Sequence, residues 1–195
     1  MLDFIFVTGT SGVGKSTLSR RLYEHYRSVY IEEWMVPEFI SLDGGEDVNG
    51  ELEERTCYEN VRAMALCFHG LGYKNVVISD IDDLRTREIP IDFRGYRFLT
   101  IRLVCTDPAQ IHRQMENRPN NGLIDYELQE KLNAKNLARA ELVNEHTIDI
   151  AGLDADAVFA RAVEIIDNTE PLTEYEYTRP PKELFYSWVF ANGLR

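Results

Sequence analysis

The chain has 195 residues, of which 44% are hydrophobic, and a formal net charge of -12 at pH 7. This length suits one domain with a sizeable core, and the acidic balance disfavours a general nucleic-acid binder, which needs a basic surface. The three cysteines have no C-x-x-C spacing, which favours reduced thiols over disulfides or a zinc site. Without a signal peptide or a long apolar run, we expect a cytoplasmic protein that does not contact membrane.

The first predicted elements are an apolar strand over 2–8, a glycine-rich loop and an amphipathic helix over 16–27. The loop fits the P-loop pattern G-x-x-x-x-G-K-[ST] at every required position. Glycines let backbone N–H groups approach phosphates closely, and the helix N-terminus favours an anion. Lys15 adds a mobile cation, and Ser16 offers a hydroxyl to Mg²⁺. The predicted ATP-binding residues here are Gly9, Thr10, Ser11, Gly12, Val13, Gly14, Lys15, Ser16 and Thr17.

Strand and helix patterns alternate along the rest of the chain. Further strands are predicted over 28–32, 75–80, 98–105 and 146–151. Further helices are predicted over 51–69, 107–118, 125–143 and 155–167. This alternation predicts a three-layer α/β/α sandwich with a five-stranded parallel sheet, the P-loop NTPase fold.

We assign this P-loop domain to 1–167, and an aromatic extension to 168–195. Within the domain, the region 34–70 is expected to bind substrate and the region 113–125 to form a lid, because both contain loops rich in Gly, Pro or Asn. The extension contains three prolines. It is expected to pack as an irregular strap on the domain, or on a partner subunit in a homodimer.

Acidic residues follow the predicted strands at the edge where open parallel sheets bind ligands. Asp80 ends an apolar strand and is predicted to contact Mg²⁺ together with Ser16. Neighbouring strand residues face opposite sides, so only one of Glu32 and Glu33 can readily point at the site. A carboxylate at this edge could accept the proton of a hydroxyl that attacks the bound phosphate. We choose Glu33 as this base for the acceptor hydroxyl, with Glu32 and Asp82 as alternatives. The candidate substrate-binding residues are Glu32, Trp34, Asp82 and Arg85.

The predicted lid contains two arginines. Phosphoryl transfer spreads negative charge over oxygens, and arginines on a closing segment can meet that charge. Arg118 stands where Pro119 must end the helix, and it is our first choice for this catalytic role. Arg113, on the same helix, is the second.

The sequence resembles the small-molecule P-loop kinases, which include shikimate, gluconate, nucleoside monophosphate and deoxynucleoside kinases. The resemblance covers 1–167 and rests on the P-loop, "YIEEW", "VVISD" and "DPAQIHRQMENRP". It implies an arginine-bearing lid and an adenine contact by the loop after the fifth strand, which contains Gly152. The "IEEW" segment differs from the aspartates of shikimate kinases, and "SDIDDLR" differs from the Asp/Glu-Arg-Ser signature of deoxynucleoside kinases. The resemblance therefore assigns no subfamily.

The leading hypothesis is an ATP-dependent kinase that uses Mg²⁺ and acts on a nucleoside, a nucleotide or a similar small metabolite. Two alternatives stay open at this point. One is a nucleotide-dependent regulatory NTPase without a small acceptor, although no [NT]-K-x-D guanine-reading motif occurs. The other is a nucleic-acid end kinase, which the acidic balance disfavours.

Overall fold

The computed structural model describes residues 1–33, 35, 51–81, 83–117 and 125–191, without the side chains of 51–54, 185, 186 and 188–190. The described strands are β1 Phe4–Gly9, β2 Tyr30–Glu32, β3 Val76–Ser79, β4 Phe98–Val104 and β5 Glu145–Asp149. The described helices are α1 Lys15–Tyr26, α2 Glu51–Gly70, α3 Asp83–Thr86, α4 Ile89–Asp92, α5 Pro108–Glu116, α6 Tyr126–Ala138, α7 Ala155–Asn168 and α8 Lys182–Ala191.

The strands form one parallel sheet in the order β2-β3-β1-β4-β5. Phe4 and Phe6 of the central strand pack in a cluster with α2 and α4, whereas Ile5 and Val7 pack in a second cluster with α1, α5 and α7. A central parallel strand that is buried on both faces is typical of an α/β fold. The predicted three-layer α/β/α architecture, the P-loop NTPase fold, is confirmed.

The element boundaries differ from the prediction in a few places. Each strand lies within two residues of its predicted bounds. The helix predicted over 125–143 ends at Ala138. The reason is local, because Arg139 turns to extended backbone and its guanidinium donates to both carboxylate oxygens of Glu145, at 2.8 and 2.7 Å. The short helices α3 and α4 were not predicted. None of the helices within the described ranges is long and apolar enough to cross a membrane.

The C-terminal segment packs on the domain through residues 173–179, which we call the strap. The hydroxyls of Tyr175 and Tyr177 donate to backbone carbonyls of α4 and of the residue after α3, at 2.7 and 3.0 Å. The guanidinium of Arg179 donates to the carboxylate of Glu88 at 2.5 Å. The strap therefore ties α3 and α4 to the end of the chain. Beyond it, α8 is a helix and not the irregular segment expected from the sequence.

Candidate functional site

A cleft of about 970 Å³ lies beyond the carboxyl ends of the central strands. The P-loop and the start of α1 form its floor, since every residue from Ser11 to Thr17 is part of the lining. Gly9 and Thr10 are not among the described lining residues, and Thr10 is buried. Helix α1 also contributes Leu18 and Arg20, and the rest of the described lining consists of Glu32, Asp80, Gln110, Arg113, Gln114, Asn117, Ile150, Leu153, Asp154, Ala155 and Val158.

The P-loop glycines serve different purposes in this structure. Gly14 is the N-terminal cap residue of α1 and has a left-handed φ of 89°, which residues other than glycine rarely adopt. Gly12 also has a positive φ of 90°, and a Cβ atom there would lie 2.8 Å from the side chain of Ile111 and 2.9 Å from that of Met115. Close packing of α5 against the loop therefore requires glycine at position 12.

Lys15 and Asp80 meet inside the cleft. The Lys15 Nζ donates to the carbonyl oxygen of Thr10 at 3.0 Å and lies 2.9 Å from Oδ1 of Asp80. Asp80 has a left-handed φ of 70° directly after β3, a conformation that Asp adopts more readily than most residues. The sheet thus brings the P-loop cation and the predicted metal ligand together.

Glu32, the last residue of β2, and Glu33, which follows it, have different surroundings. Glu32 lines the cleft, whereas Glu33 is buried with a relative exposure of 5% and is not among the described lining residues. The hydroxyl of Tyr30 donates a hydrogen bond to Glu32. Burial and this hydrogen bond to Glu32 raise the pKa of Tyr30, so the phenol stays protonated and able to donate. The strand alternation therefore presents Glu32, and not our first choice Glu33, to the cleft.

Gln110 shapes the far end of the cleft, beyond β5. Its side-chain amide donates to the carbonyl oxygens of Ile150 and Leu153, at 2.9 and 3.4 Å, and its Oε1 accepts from the N–H of Gly152 at 2.8 Å. Gly152 has a φ of 72°. The loop predicted to contact adenine is thus folded by one buried glutamine of α5.

Two glutamines that support the cleft, Gln110 and Gln129, were not predicted from the sequence. Gln129 is a buried residue of α6 that donates to the P-loop. A signal was present, since α6 carries amides where an ordinary helix would bury an apolar stripe.

The remaining predicted residues have mixed placements. Arg113 lines the cleft with a side chain that is 63% exposed, and its Nη2 lies 3.6 Å from Oδ2 of Asp107. Arg85 is buried and donates to Glu88 at 2.8 Å, and it is not among the described residues of the cleft lining. Three predicted site residues lie outside the described residues, namely Trp34, Asp82 and Arg118.

Several solved structures with a similar fold are kinases at low sequence identity. A gluconokinase from Sinorhizobium meliloti 1021 is similar with a TM-score of 0.58 and 14% identity, over 94% of this chain and 95% of that one. A thymidylate kinase from Candida albicans gives 0.52 and 17%, over 84% and 90%. A deoxyadenosine kinase from M. mycoides, solved with bound dATP, gives 0.52 and 16%, over 85% and 100%. No protein of curated function matches the sequence significantly.

A family model described as AAA domain matches residues 5–134, which include most of β1, the P-loop, β3, β4 and most of α6. The matched region thus contains Lys15 of the P-loop and Asp80. The resemblance to the P-loop small-molecule kinases is confirmed as a likeness of fold. The chain belongs to the AAA domain family and has the fold of the P-loop small-molecule kinases.

Proposed function

We propose that this protein is an ATP-dependent phosphotransferase that moves the γ-phosphoryl group of ATP to a small acceptor. The acceptor is a nucleoside, a nucleotide or a metabolite of similar size. One observation carries the proposal: the P-loop amine of Lys15 and the carboxylates of Glu32 and Asp80 line the same cleft. A cation for the phosphates and carboxylates for a metal and a proton are the groups that phosphoryl transfer needs.

The cleft has two chemically different ends that suit the two ends of ATP. The P-loop end presents backbone N–H groups and the Lys15 amine, which favour phosphates. The other end contains the apolar side chains of Ile150, Leu153 and Val158 beside the loop of Gly152. Apolar surface with nearby backbone polar groups suits a planar base. We therefore place the adenine at Gly152 and the triphosphate along the P-loop.

The transfer step uses one acceptor hydroxyl. Its oxygen attacks the γ-phosphorus, the bond from that phosphorus to the bridging β,γ-oxygen breaks, and ADP leaves. The hydroxyl proton passes to a carboxylate. We assign this base role to Glu32, because it lines the cleft while Glu33 is buried. Lys15 stabilises the charge on the transferred group, with Arg113 and Arg118 as the proposed arginines of the lid.

The donor atoms fit Mg²⁺. In the part of the chain that the structure describes, no group of three or more His, Cys, Asp and Glu side chains could hold a metal by itself. Mg²⁺ does not need such a cage, since it usually binds through one or two carboxylates, substrate phosphates and water. The hydroxyl of Ser16 and the carboxylate of Asp80 would hold it here. When bound, Mg²⁺ neutralises charge on the phosphates.

The test is ATP turnover with Mg²⁺, with and without nucleosides, nucleoside monophosphates, sugar acids and shikimate-like acids. One acceptor should stimulate ADP release and appear as its phosphorylated product by mass spectrometry. EDTA should stop the reaction. Hydrolysis of ATP that no acceptor changes would instead indicate a regulatory NTPase. Phosphorylation of oligonucleotide ends would indicate a nucleic-acid kinase.

A further inference from the structure

Helix α6 packs on the domain with amide side chains. Gln129, Asn133 and Asn136 have relative exposures of 2%, 4% and 8%. Their spacing of four and three residues places all three on one face of the helix. A buried amide is costly unless it forms hydrogen bonds. The partners of these side chains therefore define what α6 holds in place.

Gln129 holds the first half of the P-loop. Its Nε2 donates to Oγ1 of Thr10 and to the carbonyl oxygen of Ser11, both at 3.0 Å. The carbonyl oxygen of Thr10 in turn accepts from Nζ of Lys15 at 3.0 Å. Ser11 lines the cleft, and Gln129 is not among the described residues that do. Gln129 therefore contacts the loop behind the surface that faces the nucleotide.

Asn133, one turn later, makes a different contact from the same face. Its Oδ1 accepts from the N–H of Cys105 at 3.2 Å, and its Nδ2 donates to the carbonyl oxygen of Cys105 at 2.7 Å. These bonds hold the end of β4. Lys135 adds a further anchor, with Nζ 2.7 Å from Oδ2 of Asp83. Helix α6 thus keeps other attachments when Gln129 is changed.

We propose that Gln129 is a positioning residue that presets the P-loop for the phosphates of the nucleotide. The inference rests on the proposed function, because it takes the P-loop as the phosphate site. Two hydrogen bonds from one rigid helix fix the backbone of Ser11 and the side chain of Thr10. Without them the loop has more conformations to lose when phosphate binds, so affinity falls. The base end of the cleft, held by Gln110 on α5, is independent of this contact.

The experiment compares Gln129→Met with Asn133→Ala. Methionine matches the length of glutamine and lacks the donors, and Asn133→Ala removes a contact of the same helix face that does not reach the P-loop. Calorimetric titration would measure the affinity of each variant for ATP and for adenosine, which lacks phosphates. Gln129→Met should weaken ATP binding about tenfold, the effect of losing one to two hydrogen bonds. The affinity of Gln129→Met for adenosine should stay at the wild-type value. Asn133→Ala should not weaken ATP binding more than adenosine binding.

A second variant covers the case in which Gln129→Met does not fold. Gln129→Asn keeps the amide and shortens the side chain by one methylene, so that it cannot reach both Thr10 and Ser11. It should show the same selective loss of ATP affinity. Equal weakening of ATP and adenosine, or a selective ATP loss of the same size in Asn133→Ala, would contradict the inference.

Lys15→Ala separates this inference from the proposed function. If Lys15→Ala binds ATP as tightly as the wild type and also retains wild-type phosphoryl transfer, the P-loop is not the phosphate site and the proposed function is wrong. If Lys15→Ala loses ATP affinity while the Gln129 variants do not, the proposed function stands and only the role of Gln129 is wrong.

Discussion

At the residue scale, Lys15 serves the cleft and not the core. Its amine contacts the carbonyl oxygen of Thr10 and the carboxylate of Asp80, and it is part of neither hydrophobic cluster. Lys15→Ala should therefore reduce phosphoryl transfer by on the order of 10²-fold or more, the usual effect of removing a charge that stabilises the transition state. The unfolding temperature should stay close to that of the wild type. A folded variant with wild-type ADP release would contradict the assignment of Lys15 to phosphoryl transfer in the cleft.

The two glutamates give a second prediction at this scale. Glu32→Gln should lower turnover by roughly 10²-fold or more, as expected when a general base is removed, because Glu32 lines the cleft. Glu33→Gln is the matched control, since the same change is made one residue later at a buried position. It should affect the unfolding temperature more than turnover at saturating acceptor. The opposite pattern would return the base role to Glu33.

At the element scale, the packing of α5 against the P-loop can be tested with two glycines. Gly12→Ala and Gly14→Ala impose similar backbone strain, since their φ values are 90° and 89°. Only the Cβ at position 12 meets α5, at 2.8 Å from Ile111, while the one at position 14 has nothing within 4 Å. Gly12→Ala should therefore destabilise the protein by about 1–3 kcal/mol more than Gly14→Ala. Urea unfolding of both variants would measure this difference, and equal stabilities would contradict the contact.

Helices and strands were predicted correctly where their residue pattern in the sequence is clear. Apolar runs and the P-loop pattern predicted the sheet, the glycine-rich loop and α1, because burial on both faces leaves a clear mark in sequence. The helices α3 and α4 have only four residues each, too few for a 3.6-residue period to appear. We chose Glu33 over Glu32 for the base, whereas Glu32 is the one that lines the cleft. Which of the two faces the cleft depends on where β2 begins to pair, and the sequence does not show that. The positions of Arg118 and the rest of 118–124 lie outside the described residues.

At the scale of the whole molecule, the strap is expected to stabilise the domain. The double change Tyr175→Phe and Tyr177→Phe removes two hydroxyls that donate to backbone carbonyls and leaves both rings in place. Unfolding free energy should fall by about 2 kcal/mol, at roughly 1 kcal/mol for each hydrogen bond. Tyr73→Phe is the control, because Tyr73 is 43% exposed. Similar losses in control and double variant would leave the strap without a stabilising role.

Asp83 forms ion pairs with residues that are distant from it in the sequence. Burial alone would raise its pKa, but the hydrogen bond from Lys135 and the charges of Lys135, Arg87 and Arg139 lower it below the ordinary value of 3.8. A carboxyl whose folded pKa is depressed stabilises the protein fully above its unfolded pKa. This contribution is lost as pH falls through the folded pKa.

Asp83→Asn should therefore cost about 3 kcal/mol at pH 7, because three cations lose a partner whose side chain is only 14% exposed. The difference from the wild type should shrink below about pH 4, near the unfolded pKa of an aspartate. Urea unfolding at several pH values would measure it. The other acidic groups titrate in both proteins, so a difference that stays constant down to pH 2 would contradict the role of Asp83.

The central position of β1 has a consequence for synthesis of the chain. Phe4 lies opposite Val76 on one side and Phe98 on the other, so during synthesis β1 waits for both of its partner strands. At roughly 5–20 residues per second, that delay is on the order of 5 to 20 seconds. Meanwhile Phe4-Ile5-Phe6-Val7 is an uncovered apolar run of high β-propensity, the kind of segment that aggregates. Until β4 has been synthesised, β1 therefore lacks the cover that its two partner strands give it in the folded domain.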